Sequence, residues 1–212
     1  MTFDTFLELA SKIKNLELPG EASQIKMSPP YRLELMELQK EKMKTAKKSA
    51  VLALIYPDVN HEANIVLILR NTYKGVHSAQ VGFPGGKHED EDETLLATAL
   101  RETEEEIGIS KGDVMLVKEM TPMYIPPSNF SVQPFLGFVE QVPTFIKDDT
   151  EVELVIEIKL SELMDDTNAI QTTVPTSYKV NVQVPALKLQ GHIVWGATAM
   201  MLSELKDMLK RT

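Results

Sequence analysis

The sequence has no cysteine among its 212 residues. Disulfide bonds, thiolate metal sites and a cysteine nucleophile are therefore excluded, and a reducing cytoplasm is the expected compartment. No apolar run approaches the roughly 18–20 residues that a membrane-spanning helix needs. Charged residues are scattered through residues 1–20, where a secretory signal would need an apolar stretch, so no such signal is expected.

Positively charged residues are fewer than negatively charged ones. The 31 Asp and Glu outnumber the 22 Lys and Arg, which gives a net charge of −9, so nucleic acids and anionic membranes are not expected as partners. A small anionic substrate is still compatible with this charge, because bound divalent cations would invert the local field. The hydrophobic content of 43% is typical of a globular protein with one substantial core.

The first part of the chain predicts a helical arm. Apolar residues recur at helical spacing over residues 3–14, and a second helix-like stretch runs from Leu33 to Lys44. The lysines within Lys40–Lys48 are expected to form a solvated helix face and a linker, and the alternative is a patch that attracts phosphate. Residues 1–48 are accordingly predicted to be an N-terminal helical arm that packs on the same domain, which comprises residues 49–212.

The remainder of the chain alternates strand-like and helix-like segments. The runs "AVLALIY" (50–56) and "NIVLILR" (64–70) are rich in branched apolar residues and predict paired strands. A helix is predicted from about Thr94 to Ile107, and a C-terminal helix with core-filling methionines over residues 197–209. Strands interleaved with a few helices indicate a single mixed α/β domain.

An acidic helix follows the paired glycines Gly85 and Gly86. At about 100° per residue, Glu106 lies about 40° from Glu102 on the helix surface, and Glu105 lies about 60° away on the other side. These three carboxylates therefore share one face of the helix.

The rest of this helix divides into other faces. Glu104 projects from another side, and Leu96, Leu100, Thr103 and Ile107 form a separate stripe for the core. Like charges four residues apart destabilise a helix by about 0.2–0.5 kcal/mol per pair. Either water solvates the carboxylate face, or a divalent cation with oxygen ligands binds there. The glycine turn, which lets backbone approach a ligand closely, favours the metal site.

The segment that ends in "RETEEEIGI" resembles the signature of the Nudix hydrolases. That signature is Gly, five residues, Glu, seven residues, then Arg-Glu-apolar-x-Glu-Glu-x-Gly-apolar, and its second half matches residues 101–109. Counted from Gly86, Arg101 lies one residue further along than the general pattern allows. Asp92 or Glu93 then stands in place of the first glutamate of the pattern.

The coenzyme A pyrophosphatases, one branch of this family, resemble the chain in having such an expanded first half. The stretch "LILRNTYKGVHSAQVGFPGG" (67–86) is similar to their upstream motif, which ends in Phe-Pro-Gly-Gly. The segments "YIPPSNFSVQPFLG" (124–137), "VWGATAMML" near the C-terminus and "LPGEASQIKMSPPYR" in the arm also resemble this branch. The similarity therefore spans most of the chain.

This resemblance implies a Nudix-type α/β/α sandwich with a mixed β-sheet, and metal-dependent hydrolysis of a nucleoside diphosphate derivative. The implied substrate is coenzyme A or acyl-coenzyme A, which would give 3′,5′-ADP and (acyl-)4′-phosphopantetheine. Mg²⁺ or Mn²⁺ would be held by Glu102, Glu105 and Glu106, with the carbonyl of Gly85 as a further ligand. Arg101 would orient the glutamates, so Glu105, Arg101 and Glu102 are the expected catalytic residues.

The general base has several candidates, because its position varies within the family. Glu105 is one, and Glu151 and Glu153 in "DDTEVELVIE" are others, for which the alternative is a solvated loop before a strand.

Substrate contacts are expected just before and at the glycine turn. Arg70, Lys74, His77 and Gly86 are the predicted substrate-binding residues, since Arg and Lys donors suit phosphate; for His77 the alternative is a structural hydrogen bond. Three aromatic residues either stack on an adenine or fill the core: Tyr124, Phe130 and Trp195.

Three rival functions and one rival assembly stay open, and the third of these functions is an acidic scaffold without a metal. The substrate of a Nudix enzyme could instead be ADP-ribose, NADH or a non-canonical nucleotide. A Nudix-fold binding module without turnover is the second rival, although such a module would be expected to lose the carboxylates of the signature. The arm and the apolar C-terminal helix either build a homodimer or pack on their own domain.

Overall fold

The computed structural model describes residues 1–71, 80–174 and 181–212. Within them the helices are α1 (Phe3–Ile13), α2 (Glu21–Gln24), α3 (Arg32–Leu38), α4 (Lys40–Met43), α5 (Leu95–Ile107), α6 (Leu160–Met164) and α7 (Gly196–Arg211). The strands are β1 (Lys47–Pro57), β2 (Ala63–Arg70), β3 (Val81–Gly82), β4 (Gly85–Lys87), β5 (Met115–Glu119), β6 (Met123–Ile125), β7 (Phe130–Phe138), β8 (Val152–Lys159), β9 (Ala169–Val174), β10 (Val182–Leu189) and β11 (His192–Trp195). No helix in the described part of the chain is long and apolar enough to cross a membrane.

The larger sheet is built around β1. One edge of β1 pairs parallel with β7, and the other pairs antiparallel with β4 near its start and with β2 near its end. The main order in the described residues is β3-β2-β1-β7-β5, with β8 also on β2 and β6 also on β7. A smaller antiparallel sheet has the order β11-β10-β9. The register of β1 with β4 is what brings the glycine turn against the centre of the larger sheet.

Strand β1 lies between two core layers, and its side chains contribute alternately to one and the other. Leu52 and Leu54 pack in one cluster with Ile107 of α5, whereas Ala53 and Ile55 point to the opposite face and join the cluster that contains α1 and α7. Alternation along a strand puts successive side chains on opposite faces, so both faces of the sheet are covered. The predicted α/β/α sandwich with a mixed sheet is confirmed.

The N-terminal segment packs against this domain. Helix α1 buries Phe3 and Phe6 in the main core, and the side chain of Gln24 donates a hydrogen bond to the buried Glu204 of α7 at 3.0 Å. Helix α7 is itself buried along most of its length. The two helices that the sequence left open as a dimer surface therefore both contact their own domain, and the homodimer stays a prediction.

The helix-like stretch predicted over Leu33–Lys44 is helical, but it is interrupted at one residue. The structure has two short helices, α3 and α4, that meet at Gln39, where φ is −108° and ψ is 15°. Neither has a buried residue, so no packed face enforces a longer helix. Strand β1 begins at Lys47, so the last two lysines of the expected linker belong to the sheet.

Asp92 fastens the loop after β4 to helix α5. Its carboxylate accepts hydrogen bonds from Nε and Nη2 of Arg101 at 2.9 and 3.0 Å, from the Thr98 hydroxyl at 2.9 Å and from the backbone N–H of Glu89 at 3.0 Å. The hydrogen-bonded guanidinium holds the pKa of Asp92 far below its usual range. Glu93 is exposed. Of the two acids in place of the first glutamate of the signature, Asp92 is the one that contacts Arg101.

We expect Asp92→Asn to lower the free energy of unfolding at pH 7 by about 2–4 kcal/mol, because Arg101 loses a buried charged partner. The folded pKa of Asp92 lies below the unfolded value of about 3.9. The stabilisation is therefore present above that pH and shrinks as the pH falls below it. Urea unfolding of both proteins at pH 7 and pH 3 measures the difference.

The matched control for this prediction is Glu93→Gln, which makes a similar charge change on the exposed neighbour of Asp92. A loss of stability no larger for Asp92→Asn than for Glu93→Gln at pH 7 would contradict the role of Asp92.

Candidate metal and active site

Helix α5 carries the acidic signature against the core. The hydroxyl of Thr94 caps its N-terminus by accepting a hydrogen bond from the N–H of Ala97 at 3.1 Å. Thr103 is fully buried, and its hydroxyl donates to the carbonyl of Ala99 at 2.6 Å. That bond gives the Thr103 hydroxyl a partner at a position where the signature has an apolar residue. The predicted core stripe is found, with Ile107 buried at its end.

Three carboxylates converge at this helix. One carboxylate oxygen each from Glu102, Glu106 and Glu151 lie within 4.8 Å of one another. Glu106 is buried, with 1% of its side chain exposed, while Glu151 is exposed at the start of β8. The N–H of Asn71 donates to the carbonyl of Glu151 at 2.9 Å, which ties the Glu151 loop to the end of β2.

The paired glycines let the turn approach these carboxylates. At Gly85, φ is +142° and a Cβ atom would lie 2.3 Å from the carbonyl oxygen of Ala50 in β1. At Gly86, a Cβ atom would lie 2.3 Å from the carboxyl carbon of Glu102. The N–H of Gly85 donates to Glu106 at 2.8 Å. A side chain at either glycine would therefore displace the sheet or the carboxylate.

Arg70 lies between the glycine turn and the buried carboxylate. Its Nη1 donates to Glu106 at 2.7 Å, and its Nη2 donates to the carbonyl of Gly85. The sequence predicted Arg70 as a substrate contact and the Gly85 carbonyl as a metal ligand. The structure brings both to the cluster and pairs them with each other.

Arg101 organises the outer part of the acidic face. Besides Asp92, it contacts Glu102 at 3.0 Å and Glu105 at 2.8 Å. The side chain of Glu105 is 58% exposed, and Glu105 is not one of the three residues whose oxygens converge. Glu153, the other candidate base, is exposed on β8 and also lies outside this group.

The electrostatics of the cluster favour a bound cation. Burial raises the pKa of Glu106 to about 7, against the opposing effects of Arg70 and the Gly85 N–H. Burial also raises the pKa of Glu102, with Arg101 opposing it. Three carboxylates face one another here, and oxygen ligands of this kind are those that Mg²⁺ and Mn²⁺ take. The donor set fits a hard divalent ion.

A cavity of about 580 Å³ opens beside the cluster. Arg70 and Gly86 line one part of it, and Tyr31 and Arg32 of the N-terminal arm line another. This volume is within the usual range of small-molecule sites. Of the three aromatic residues considered for stacking, Phe130 and Trp195 line the cavity, whereas Tyr124 is 4% exposed and belongs to the core.

Sequence reasoning missed two features of this site. The spacing gave no sign that Asp92 anchors Arg101, although the extra residue in the signature marks that loop as unusual. The contribution of Tyr31 and Arg32 to the cavity had no signal beyond the resemblance of the arm to one branch of the family. Lys74 and His77, both predicted to contact substrate, lie outside the described residues.

Comparisons with known proteins agree with this geometry. The NUDIX domain model matches residues 46–169. The chain is 30% identical to the peroxisomal coenzyme A diphosphatase ndx-8 of Caenorhabditis elegans over 135 residues, which are 63% of this chain and 58% of that protein. It is 32% identical to the uncharacterized Nudix hydrolase NudL of Yersinia enterocolitica over 148 residues, which are 70% of this chain and 75% of that protein.

A solved structure gives the same fold. The Nudix hydrolase RenU from M. Smegmatis aligns with a TM-score of 0.52 at 13% identity, over 78% of this chain and 87% of that one. The matched family model covers more than half of the chain and includes every carboxylate of the cluster. The chain therefore belongs to the Nudix hydrolases.

Proposed function

We propose that this Nudix pyrophosphatase hydrolyses coenzyme A or an acyl-coenzyme A, with Mg²⁺ or Mn²⁺, to 3′,5′-ADP and (acyl-)4′-phosphopantetheine. The observation that carries the proposal is the convergence of Glu102, Glu106 and Glu151 beside a cavity of about 580 Å³. The identity of 30% to a protein named as a coenzyme A diphosphatase supports the choice of substrate.

Carboxylates on α5 and before β8 would hold the ion. Glu102, Glu106 and Glu151 are the proposed ligands, with the Gly85 carbonyl as a further one. A divalent ion bound there would neutralise pyrophosphate charge and lower the pKa of a bound water. The buried position of Glu106 fixes its carboxylate, since the Gly85 N–H holds one of its oxygens at 2.8 Å.

The residues of the chain would each have a distinct role in the hydrolysis. Water attacks one phosphorus of the pyrophosphate, the bridging P–O bond breaks, and the water proton passes to a carboxylate. Glu105 is the proposed base, because it is exposed and is not one of the three residues whose carboxylate oxygens converge. Arg101 orients Glu102 and Glu105 through its ion pairs. Arg70, which lines the cavity, would donate to a phosphate oxygen, as would donors at Gly86.

The rival substrates are tested by a direct panel. Purified protein with Mg²⁺ or Mn²⁺ is incubated with coenzyme A, acetyl-coenzyme A, NADH, ADP-ribose and deoxynucleoside triphosphates, and products are separated by chromatography. We expect 3′,5′-ADP from coenzyme A and its acetyl ester, with the highest kcat/KM in the panel.

Cleavage of another panel member without 3′,5′-ADP from coenzyme A would contradict the substrate. Tight binding of a panel member without any product would instead favour the non-catalytic binding module.

Metal affinity should depend on pH through Glu106. Because the pKa of Glu106 is raised to about 7 in the metal-free protein, protons and metal compete for the same carboxylate below that pH. We expect the affinity for Mn²⁺, measured by titration calorimetry, to be nearly constant from pH 7.5 to 8.5. It should fall as the pH decreases from 7 to 5.5.

The control for this pH dependence is Glu106→Gln, which has no proton to lose. Its Mn²⁺ affinity should be weaker and should change less over the same interval. An affinity of the unmodified protein that does not vary between pH 5.5 and 8.5 would contradict the raised pKa.

A further inference from the structure

Arg32 is a cation without an anionic partner inside this protein. Its Nη2 donates to the carbonyl of Tyr124 at 2.8 Å, and no carboxylate of the described residues lies within 4.0 Å of it. The two stretches outside the described residues, 72–79 and 175–180, contain no Asp or Glu in the sequence. Every carboxylate side chain of the chain is thereby accounted for, and none pairs with Arg32.

The environment of Arg32 makes this absence unusual. The side chain is partly buried, and desolvation lowers its pKa, with the charge of the more distant Glu21 opposing that effect. An arginine keeps its charge throughout the physiological range, and its guanidinium has five N–H donors. Removing such a charge from water without a partner is unfavourable. The unused donors of Arg32 therefore fit an external anion.

Arg32 lines the same cavity as the glycine turn of the metal site. The carbonyl that Arg32 contacts is that of Tyr124 in β6. Strands β7 and β1 lie between β6 and β4 in the larger sheet. Three strand spacings of about 4.8 Å put β6 about 14 Å from β4 across the sheet. A ligand that reaches both places must extend well beyond a pyrophosphate group.

The walls of the cavity that Arg32 lines suit a nucleotide. Tyr31, Phe130 and Trp195 contribute aromatic rings, and Pro126 and Pro127 add apolar surface. Aromatic side chains stack on nucleobases, and guanidinium groups bind phosphate with paired donors. Aromatic residues in the same cavity as an arginine without a carboxylate partner are thus complementary to a base with a nearby phosphate.

We propose that Arg32 is a specificity-determining residue that binds the 3′-phosphate monoester on the ribose of coenzyme A, across the cavity from the glycine turn. The inference rests on the proposed function, since it concerns the same substrate. Under it, the N-terminal arm contributes to the site itself, and the enzyme selects a nucleotide that carries a phosphate outside its pyrophosphate.

The test compares two substrates that differ in that phosphate alone. We would measure kcat and KM for coenzyme A and for 3′-dephospho-coenzyme A with the unmodified protein, Arg32→Gln and Arg32→Lys. We expect the unmodified protein to favour coenzyme A by roughly 10- to 100-fold in kcat/KM, as for loss of a charged hydrogen-bonding partner. Arg32→Gln should abolish this preference by raising KM for coenzyme A alone, and Arg32→Lys should restore part of it.

Several controls keep the outcomes distinct. Arg211→Gln removes an exposed arginine outside the cavity and should keep the preference. An equal loss of kcat/KM for both substrates in Arg32→Gln would show that the residue only holds the arm in place, and would overturn the inference. An undiminished preference for coenzyme A in Arg32→Gln would overturn it as well. Cleavage of neither substrate by the unmodified protein would overturn the proposed function instead.

A second pair of substrates distinguishes the position of the phosphate. NADPH carries a 2′-phosphate that NADH lacks. A preference for NADPH that depends on Arg32, without any Arg32-dependent preference between the two coenzyme A forms, would overturn the assignment to the 3′-phosphate.

Discussion

The buried carboxylate of Glu106 is the interaction on which the rest of the site depends. It sits on the core side of an acidic helix, with one oxygen on the N–H of Gly85 and the other on Arg70. Burying a carboxylate is unfavourable unless it is hydrogen-bonded and paired. The glycine turn, the end of β2 and helix α5 are therefore held in one arrangement by a single side chain.

That arrangement explains why the turn has two glycines. Gly85 packs on β1 at a distance where no side chain fits, and Gly86 leaves room for the carboxyl group of Glu102. Arg101, fixed by Asp92, then orients the exposed part of the acidic face.

Local parts of this structure could be predicted from sequence, and parts that depend on long-range contacts could not. Helical geometry correctly predicted that Glu102 and Glu106 share a face, and short runs of branched apolar residues predicted β1 and β2. The same geometry grouped Glu105 with them, yet its side chain pairs with Arg101 one turn earlier, a choice of rotamer that spacing does not determine. Glu151 joins the cluster only through the pairing of β8 with β2, and Arg32 reaches the cavity only because the arm packs on the domain.

The most direct test of the metal site is the Mn²⁺ affinity of four glutamate-to-glutamine variants, followed by electron paramagnetic resonance at pH 8. Glu102→Gln, Glu106→Gln and Glu151→Gln each remove one of the converging oxygens. Glu104→Gln makes the same chemical change elsewhere on helix α5. We predict weaker Mn²⁺ binding by roughly tenfold or more in the first three, as for loss of an interaction with a charged group, and unchanged binding in the fourth. Equal Mn²⁺ affinity in all four variants and the unmodified protein would contradict the account.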